Sequence, residues 1–285
     1  MELSVVIAVR DEVDVVEAQL DALLAQEWDA AWEIIVADNG STDGTLEMLE
    51  RYAARTERVR LVDASDTPGA SHARNVGIRA AGGDALAFCD ADDLVEPGWV
   101  AAMGEGLREH PAITGPLPVD RLNPAWVQNA YYSEPPTGVT RFCDIFPFAA
   151  TANLGVTRSV LDAIGDFDES LPTGEDIDFC LRLWDAGYDL SFRDDAAVQY
   201  RYRASVRALW RRTRSYSEAA PAIVKRMAER GHPTPSALAG LRQWVWLVRR
   251  LGLIRSCQGR ARWVVVAATK VGRLVGSVRH RRVLL

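Results

Sequence analysis

Four acidic clusters in this chain have the residue types and spacing to do chemistry. Leu86-Ala87-Phe88-Cys89 runs directly into Asp90-Ala91-Asp92-Asp93. Four apolar residues after Gly82-Gly83-Asp84 suit a strand covered on both faces, which puts the carboxylates at its carboxyl end. Open α/β sheets bind ligands at that edge, so Asp residues there can hold a divalent cation and, through it, a phosphate. The bland alternative is a solvated acidic turn that caps the next helix. The other clusters are Arg10-Asp11-Glu12, Asp38-Asn39-Gly40-Ser41-Thr42-Asp43 and Gly174-Glu175-Asp176-Ile177-Asp178. Singly, each reads as a turn, an N-cap or a favourable charge in the first turn of a helix. A carboxylate at a helix start can also face a pocket and act as a general base.

Strands alternating with helices would bring these clusters together. Residues 3–9 and 33–37 are apolar runs, and 59–62 reads as a third strand. Val13, Val16, Leu20, Leu23 and Leu24 recur at helical spacing, as do Leu46, Leu49 and Tyr52. Helices are expected over 43–55, 70–81, 96–109, 157–165 and 175–186, with further strands at 113–119, 190–192 and 198–200. The alternation implies right-handed crossovers and a mostly parallel sheet, so the clusters after strands one, two and four share one rim. Residues 120–148, rich in Pro and aromatics including Trp126, Tyr131, Tyr132 and Phe142, read as a long binding loop with a short helix.

Charge divides the chain. Residues 1–200 carry 13 Lys/Arg against 37 Asp/Glu, whereas residues 201–285 carry 20 against 2, within a total of −6. The basic part reads as helices over 205–230, 235–257 and 260–280. Its apolar pieces are too short or too interrupted by Arg249-Arg250 to span a bilayer, which takes about 20 residues. They could lie in an interface plane, pack on the acidic body, or meet a second subunit. Cys89, Cys143, Cys180 and Cys257 are scattered and form no Cys-x-x-Cys pair, which argues against a zinc site or disulfide framework and for a reducing compartment. The start of the chain lacks the basic region and cleavage site of a signal peptide. No Gly-x-Gly-x-x-Gly follows strand one and no P-loop is present, so phosphate would be held by metal rather than a glycine cradle.

Taken together, Ser4 to Glu12, Val36 to Thr45, Gly69 with Ala73-Arg74-Asn75-Val76-Gly77, Phe88 to Asp93 and Gly174 to Asp178 resemble the family 2 inverting glycosyltransferases of GT-A fold, over about residues 3–203. The resemblance implies a catalytic domain at 1–203, with a donor half to about 119 and an acceptor half from 120, followed by a basic helical region at 204–285. It implies that Ala8, Arg10 and Glu12 line a nucleotide pocket, that Asp38 contacts the base, that Arg74 supports the nucleotide and that Asp90 faces the ribose or sugar. Asp92 would ligate Mg²⁺ or Mn²⁺ on the diphosphate. Asp176, beside Glu175, would be the catalytic base.

Two departures from that family's pattern matter. Its frequent His after the Glu-Asp helix is absent from Val198-Gln199-Tyr200-Arg201-Tyr202-Arg203, where Arg201 or Arg203 is the available cation. The Gln-x-x-Arg-Trp of processive members is missing too, which favours transfer of a single sugar. His72, the one histidine near a motif, reads as a polar helix residue. The expected partners are a nucleoside-diphosphate sugar, with UDP favoured, and a saccharide, lipid-linked or small-molecule acceptor. An anionic membrane surface or a second copy would meet the tail, and nucleic acid is not expected. The expected location is the cytoplasm or the inner face of the membrane. A pyrophosphorylase would need a Gly- and Arg-rich loop after strand one, which Ala8 to Glu12 does not supply. An inactive nucleotide-sugar-binding protein of the same fold is the other alternative.

Overall fold

The computed structural model describes residues 1–128, 130, 136–202, 204–236 and 240–284. In chain order the strands are β1 (Leu3–Val9), β2 (Trp32–Asp38), β3 (Val59–Asp63), β4 (Ala85–Phe88), β5 (Leu94–Val95), β6 (Ala112–Thr114), β7 (Thr140–Phe142), β8 (Phe146–Phe148), β9 (Leu154–Thr157), β10 (Leu190–Phe192) and β11 (Val198–Gln199). The helices are α1 (Val16–Leu24), α2 (Thr45–Arg55), α3 (Ala70–Ala80), α4 (Trp99–Glu109), α5 (Ala125–Gln128), α6 (Arg158–Ile164), α7 (Glu175–Asp185), α8 (Val206–Glu229), α9 (Leu241–Arg249) and α10 (Cys257–His280).

Seven strands form one sheet in the order β10-β6-β9-β4-β1-β2-β3. All neighbours pair in parallel except β9, which runs antiparallel to both β4 and β6. Register aligns Val9 with Asp38 and Asp38 with Asp63, so the first two polar loops leave the sheet side by side. Along β1, Leu3, Val5, Ile7 and Val9 point into a core shared with α1, α2 and α4, while Val6 joins Ile35, Leu86 and Phe88 against α3, α6, α7 and α8. That alternation is the period of two that a strand between two helical layers imposes. Gly77 sets the depth of α3 on the sheet: a Cβ there would sit 2.4 Å from Val6 Cγ1.

Several expectations shift by a physical cause. The strand expected at 113–119 ends at Thr114, because Pro116 and Pro118 lack amides and their carbonyls instead accept Val198 N and Tyr200 N at 3.1 and 2.7 Å. The helix expected from residue 96 starts at Trp99, since Leu94–Val95 is drawn into an antiparallel pair with Val198–Gln199. Residues 154–157 were not expected as a strand, yet they lie mid-sheet. The long loop holds α5 and the β7–β8 hairpin, while Tyr131 and Tyr132 lie outside the described residues, as does Arg203. The helix expected over 235–257 is α9 followed by a 3₁₀ segment, Leu251–Arg255.

The first part of the basic region meets the acidic body. Arg226 pairs with Asp168 and Asp178, and Arg230 and His232 with Asp185. Helix α10 lies along α8, close enough that a Cβ on Gly276 would come within 2.2 Å of the Glu218 carbonyl. All four cysteines are free thiols. Among the described residues no helix is long and apolar enough to cross a membrane.

Candidate active site

The loops after β1 and β2 brace each other. Asp11 adopts a left-handed backbone conformation (φ 53°), uncommon for a non-glycine residue. Its amide donates to Ser41 Oγ at 3.0 Å, and its Oδ1 accepts from Thr42 N at 2.7 Å. Glu12 N donates to Thr45 Oγ1 at 2.9 Å. Asp38 is buried, and its Oδ2 accepts the amides of Gly40 and Ser41 at 3.1 Å each. Its Oδ1 is also buried and has no hydrogen-bond partner. Such an orphan acceptor costs about 1–3 kcal/mol unless a donor reaches it, so this edge is built to receive one. Ala8 packs by Ala37, Ala64 and Ala73, small side chains that keep the neighbouring edge shallow. Arg10 stands outward, its side chain 51% exposed and 3.8 Å from Asp11.

At the end of β4, carboxylate oxygens of Asp90, Asp92 and Asp93 lie within 4.8 Å of one another. Asp93 does not cap the turn before Pro97 as its sequence position suggests. Its Oδ1 accepts the Arg201 amide at 2.7 Å, from the segment that follows β11, more than a hundred residues later. Its Oδ2 is buried without a partner. Burial first, then Asp90 and Asp92, push its pKa well above the usual carboxylate range. Three hard oxygen donors, crowded by like charge and including one unsatisfied atom, fit a divalent cation such as Mg²⁺ or Mn²⁺. Arg201 Nε donates to the Asp92 carbonyl at 2.6 Å, so this side chain braces the acidic turn rather than standing in solvent.

Arg74 links this turn to α7. It is 7% exposed, and α3 aims its guanidinium so that Nη2 donates to Asp90 Oδ1 at 2.9 Å and Nη1 to Glu175 Oε1 at 2.8 Å. Burial would weaken its charge, but Asp90 and Glu175 outweigh that and hold its pKa above the ordinary arginine value. Glu175 is thereby committed to Arg74. Asp176, the next residue and 5% exposed, is not bound by that arginine. Burial, followed by Glu175, raises its pKa to about 7, near the value that suits a general base at neutral pH.

Asp90 and Asp176 share a cavity of about 580 Å³, also lined by Tyr200, Tyr202, Arg212 and Tyr216. Ala8, Arg10, Glu12 and Asp38 lie outside it, farther along the same sheet edge. Arg212 and Tyr216 come from α8, and α10 adds Val265 and Thr269 to the wall. The Arg212 guanidinium lies 5.0, 5.3 and 5.2 Å from the ring centres of Tyr200, Tyr202 and Tyr216. His72 is buried between Asp66 and Glu169, with ring nitrogens 2.7 and 2.9 Å from their oxygens. It fastens α3 and is no part of the cavity.

The sequence profile of glycosyl transferase family 2 matches residues 4–165, and that of glycosyl transferase family group 2 matches residues 86–271. The chain belongs to glycosyl transferase family 2. Glycosyltransferase AglE of Haloferax volcanii is 29% identical over 199 residues, which are 68% of this chain and 64% of that protein. The pre-mycofactocin glycosyltransferase of Mycobacterium tuberculosis is 26% identical over 255 residues, 86% of this chain and 53% of that one. The chain therefore spans under two-thirds of the length of each relative. The mannosyltransferase PcManGT from Pyrobaculum calidifontis, solved with GDP-Man and Mn²⁺, superposes with a TM-score of 0.71 at 18% identity, covering 98% of this chain and 86% of that one. The expected GT-A fold holds.

Two contributors to the site, and the remote contact of a third, were not legible in the motifs. Arg212 and Tyr216 sit on a helix whose basic character reads equally well as tail, and Asp93 acts through a partner distant in sequence. A cation flanked by aromatics, Tyr200-Arg201-Tyr202 with Arg212 and Tyr216, was the available signal.

Proposed function

We propose that the chain is an inverting glycosyltransferase that moves one sugar from a nucleoside-diphosphate donor to an acceptor hydroxyl. The observation that carries this reading is Arg74, which ties Asp90 of the strand-four rim to Glu175 while Asp176 opens on the same cavity as Asp90. One end of that arrangement suits a diphosphate and the other suits a nucleophile.

The unpartnered Asp38 Oδ1 supports binding of a nucleobase N–H, such as the imide N–H of uracil or the N1–H of guanine. A uridine donor remains our expectation, with guanosine the competing base. Ala8, Arg10 and Glu12 extend this subsite toward the ribose. Asp92, with Asp90 and Asp93, would hold the divalent ion, which would offset charge on the departing diphosphate. Asp176 then accepts the proton of the acceptor hydroxyl as its oxygen attacks the anomeric carbon. A single base and no protein nucleophile make this a direct displacement that inverts the anomeric centre, unlike the two-carboxylate route through a covalent intermediate. Arg212, held by three tyrosine rings on the same cavity wall, would compensate for the absent histidine by facing the leaving group.

The absence of Gln-x-x-Arg-Trp supports single-sugar transfer, in glycan, glycolipid or glycosylated-metabolite synthesis. Residues 1–203 would be the catalytic unit, completed by α8 and α10 of the following region. The test is product analysis. An α-linked donor should give a β-linked product, and Asp176→Asn should stop transfer while donor binding persists. Retention of configuration, or undiminished turnover by Asp176→Asn, would overturn the assignment.

A further inference from the structure

The wall of the cavity continues into a surface that the transferase reading does not use. Beyond Glu229 the chain has no acidic residue, yet it carries 12 Lys/Arg. Helix α9 and the 3₁₀ segment after it, Leu251–Arg255, expose a row of aliphatic side chains. Leu241, Val245 and Val248 recur at helical spacing with 44, 51 and 70% exposure, and Leu251 follows at 52%. Arg242 and Arg249 form a second row seven residues apart, and Arg250 and Arg255 are exposed beside it. Among the described residues none of these four arginines pairs with a carboxylate, in contrast to Arg226 and Arg230, which are spent on the acidic body.

A concavity of about 390 Å³ lies in the same corner, lined by Trp246, Arg250, Leu253, Ser256, Gly259 and Arg262. Two guanidinium groups beside a Trp suit an anionic phosphate headgroup, with the aliphatic row beside it entering the acyl boundary. Nucleic acid would leave the aliphatic row in water. We propose that α9 and residues 251–255 dock in the plane of an anionic phospholipid bilayer, with this pocket taking a lipid headgroup.

The geometry carries the docking toward the active site. Trp263 Nε1 of α10 donates to the Leu247 carbonyl at 3.0 Å, fixing α9 to the helix that brings Val265 and Thr269 to the cavity. A bilayer under α9 would lie beside the helix that lines the cavity, which favours an acceptor carried on a lipid. This last consequence rests on the transferase reading, while the docking itself does not.

The experiment is co-sedimentation of the full chain with vesicles of phosphatidylcholine alone and with one-third phosphatidylglycerol, at low and high salt, alongside light scattering of the free protein. The wild type should pellet with the anionic vesicles, less with neutral ones and less at high salt, with a blue shift of tryptophan fluorescence. Arg249→Gln/Arg250→Gln should lower the partition coefficient about 25-fold, at about five-fold per arginine near an anionic surface. Val248→Asp, an exposed change that spares the fold, should lower it about tenfold. Donor-induced thermal stabilisation without vesicles should be unchanged in Val248→Asp, so loss of membrane docking and loss of the transferase reading are distinguishable. No pelleting with anionic vesicles, equal pelleting of the variants, or a dimer that Val248→Asp dissociates would overturn the proposal, the last by assigning the row to a second copy.

Discussion

Replacing Asp176 by Asn should remove activity and add stability, with a pH signature that no loss of packing would produce. Burial and Glu175 raise this carboxyl from 3.8 to about 7. Three pKa units correspond to roughly 4 kcal/mol between protonated and ionised forms, an upper bound for a group whose neighbours titrate with it. Because the folded value lies above the unfolded one, the group's contribution to stability is fully present below about pH 4 and is lost as pH rises through about 7. Between pH 5 and pH 8 the wild type should therefore lose up to about 3 kcal/mol through this residue, and an amide, which does not titrate, should lose none. Even half of that is about 2–3 °C in melting temperature for a chain of this length. Thermal unfolding of both proteins at the two pH values reads the difference directly. The variant should gain on the wild type as pH rises, while transfer at pH 8 falls by about 10²- to 10⁴-fold. A stability difference that is the same at pH 5 and pH 8 would refute the claim that a buried, hard-to-ionise Asp176 faces the cavity.

Other perturbations address the rest of the site. Arg74→Gln should destabilise the protein by about 3–5 kcal/mol, since Asp90 and Glu175 lose their shared cation, and chemical denaturation should show it. Asp38→Ala should weaken binding of a uridine or guanosine donor at least tenfold, measured by calorimetry, and leave binding of free Mn²⁺ unchanged. Arg212→Ala should lower kcat more than it raises KM if its charge acts on the leaving group, with partial rescue by Arg212→Lys. Gly77→Ala should cost about 1–3 kcal/mol in unfolding free energy through overpacking against Val6, with no change in the metal requirement of whatever activity remains.

How much of this could be read beforehand depends on how local each signal is. Strands one, two and four carry apolar runs that end in polar loops, so β1, β2 and β4 and the rim they share followed from pattern alone. The antiparallel β9 did not, because Leu154-Gly155-Val156-Thr157 is short and its pairing partners are remote. The split of the expected 235–257 helix was equally hidden, since Arg249-Arg250-Leu251-Gly252 keeps helical composition while the backbone tightens into a 3₁₀ turn. In the site, the motif residues Asp90, Asp92, Glu175 and Asp176 were legible as types. Their division of labour was not. That Glu175 is engaged by Arg74 and Asp176 is not depends on where α3 sits, and α3 sits there because Gly77 has no side chain. Arg212 was out of reach because its role comes from the packing of α8 beside Tyr200 and Tyr202 rather than from a motif.

The central claim is that a nucleoside-diphosphate sugar binds along this rim through a divalent ion on Asp92. A thermal-shift panel of nucleotide sugars, each with and without Mn²⁺, on the wild type and Asp92→Asn, tests it most directly. The expected result is stabilisation of the wild type by a uridine or guanosine donor that requires Mn²⁺ and disappears in Asp92→Asn. Stabilisation by no donor, or by one that needs neither the metal nor Asp92, would contradict it.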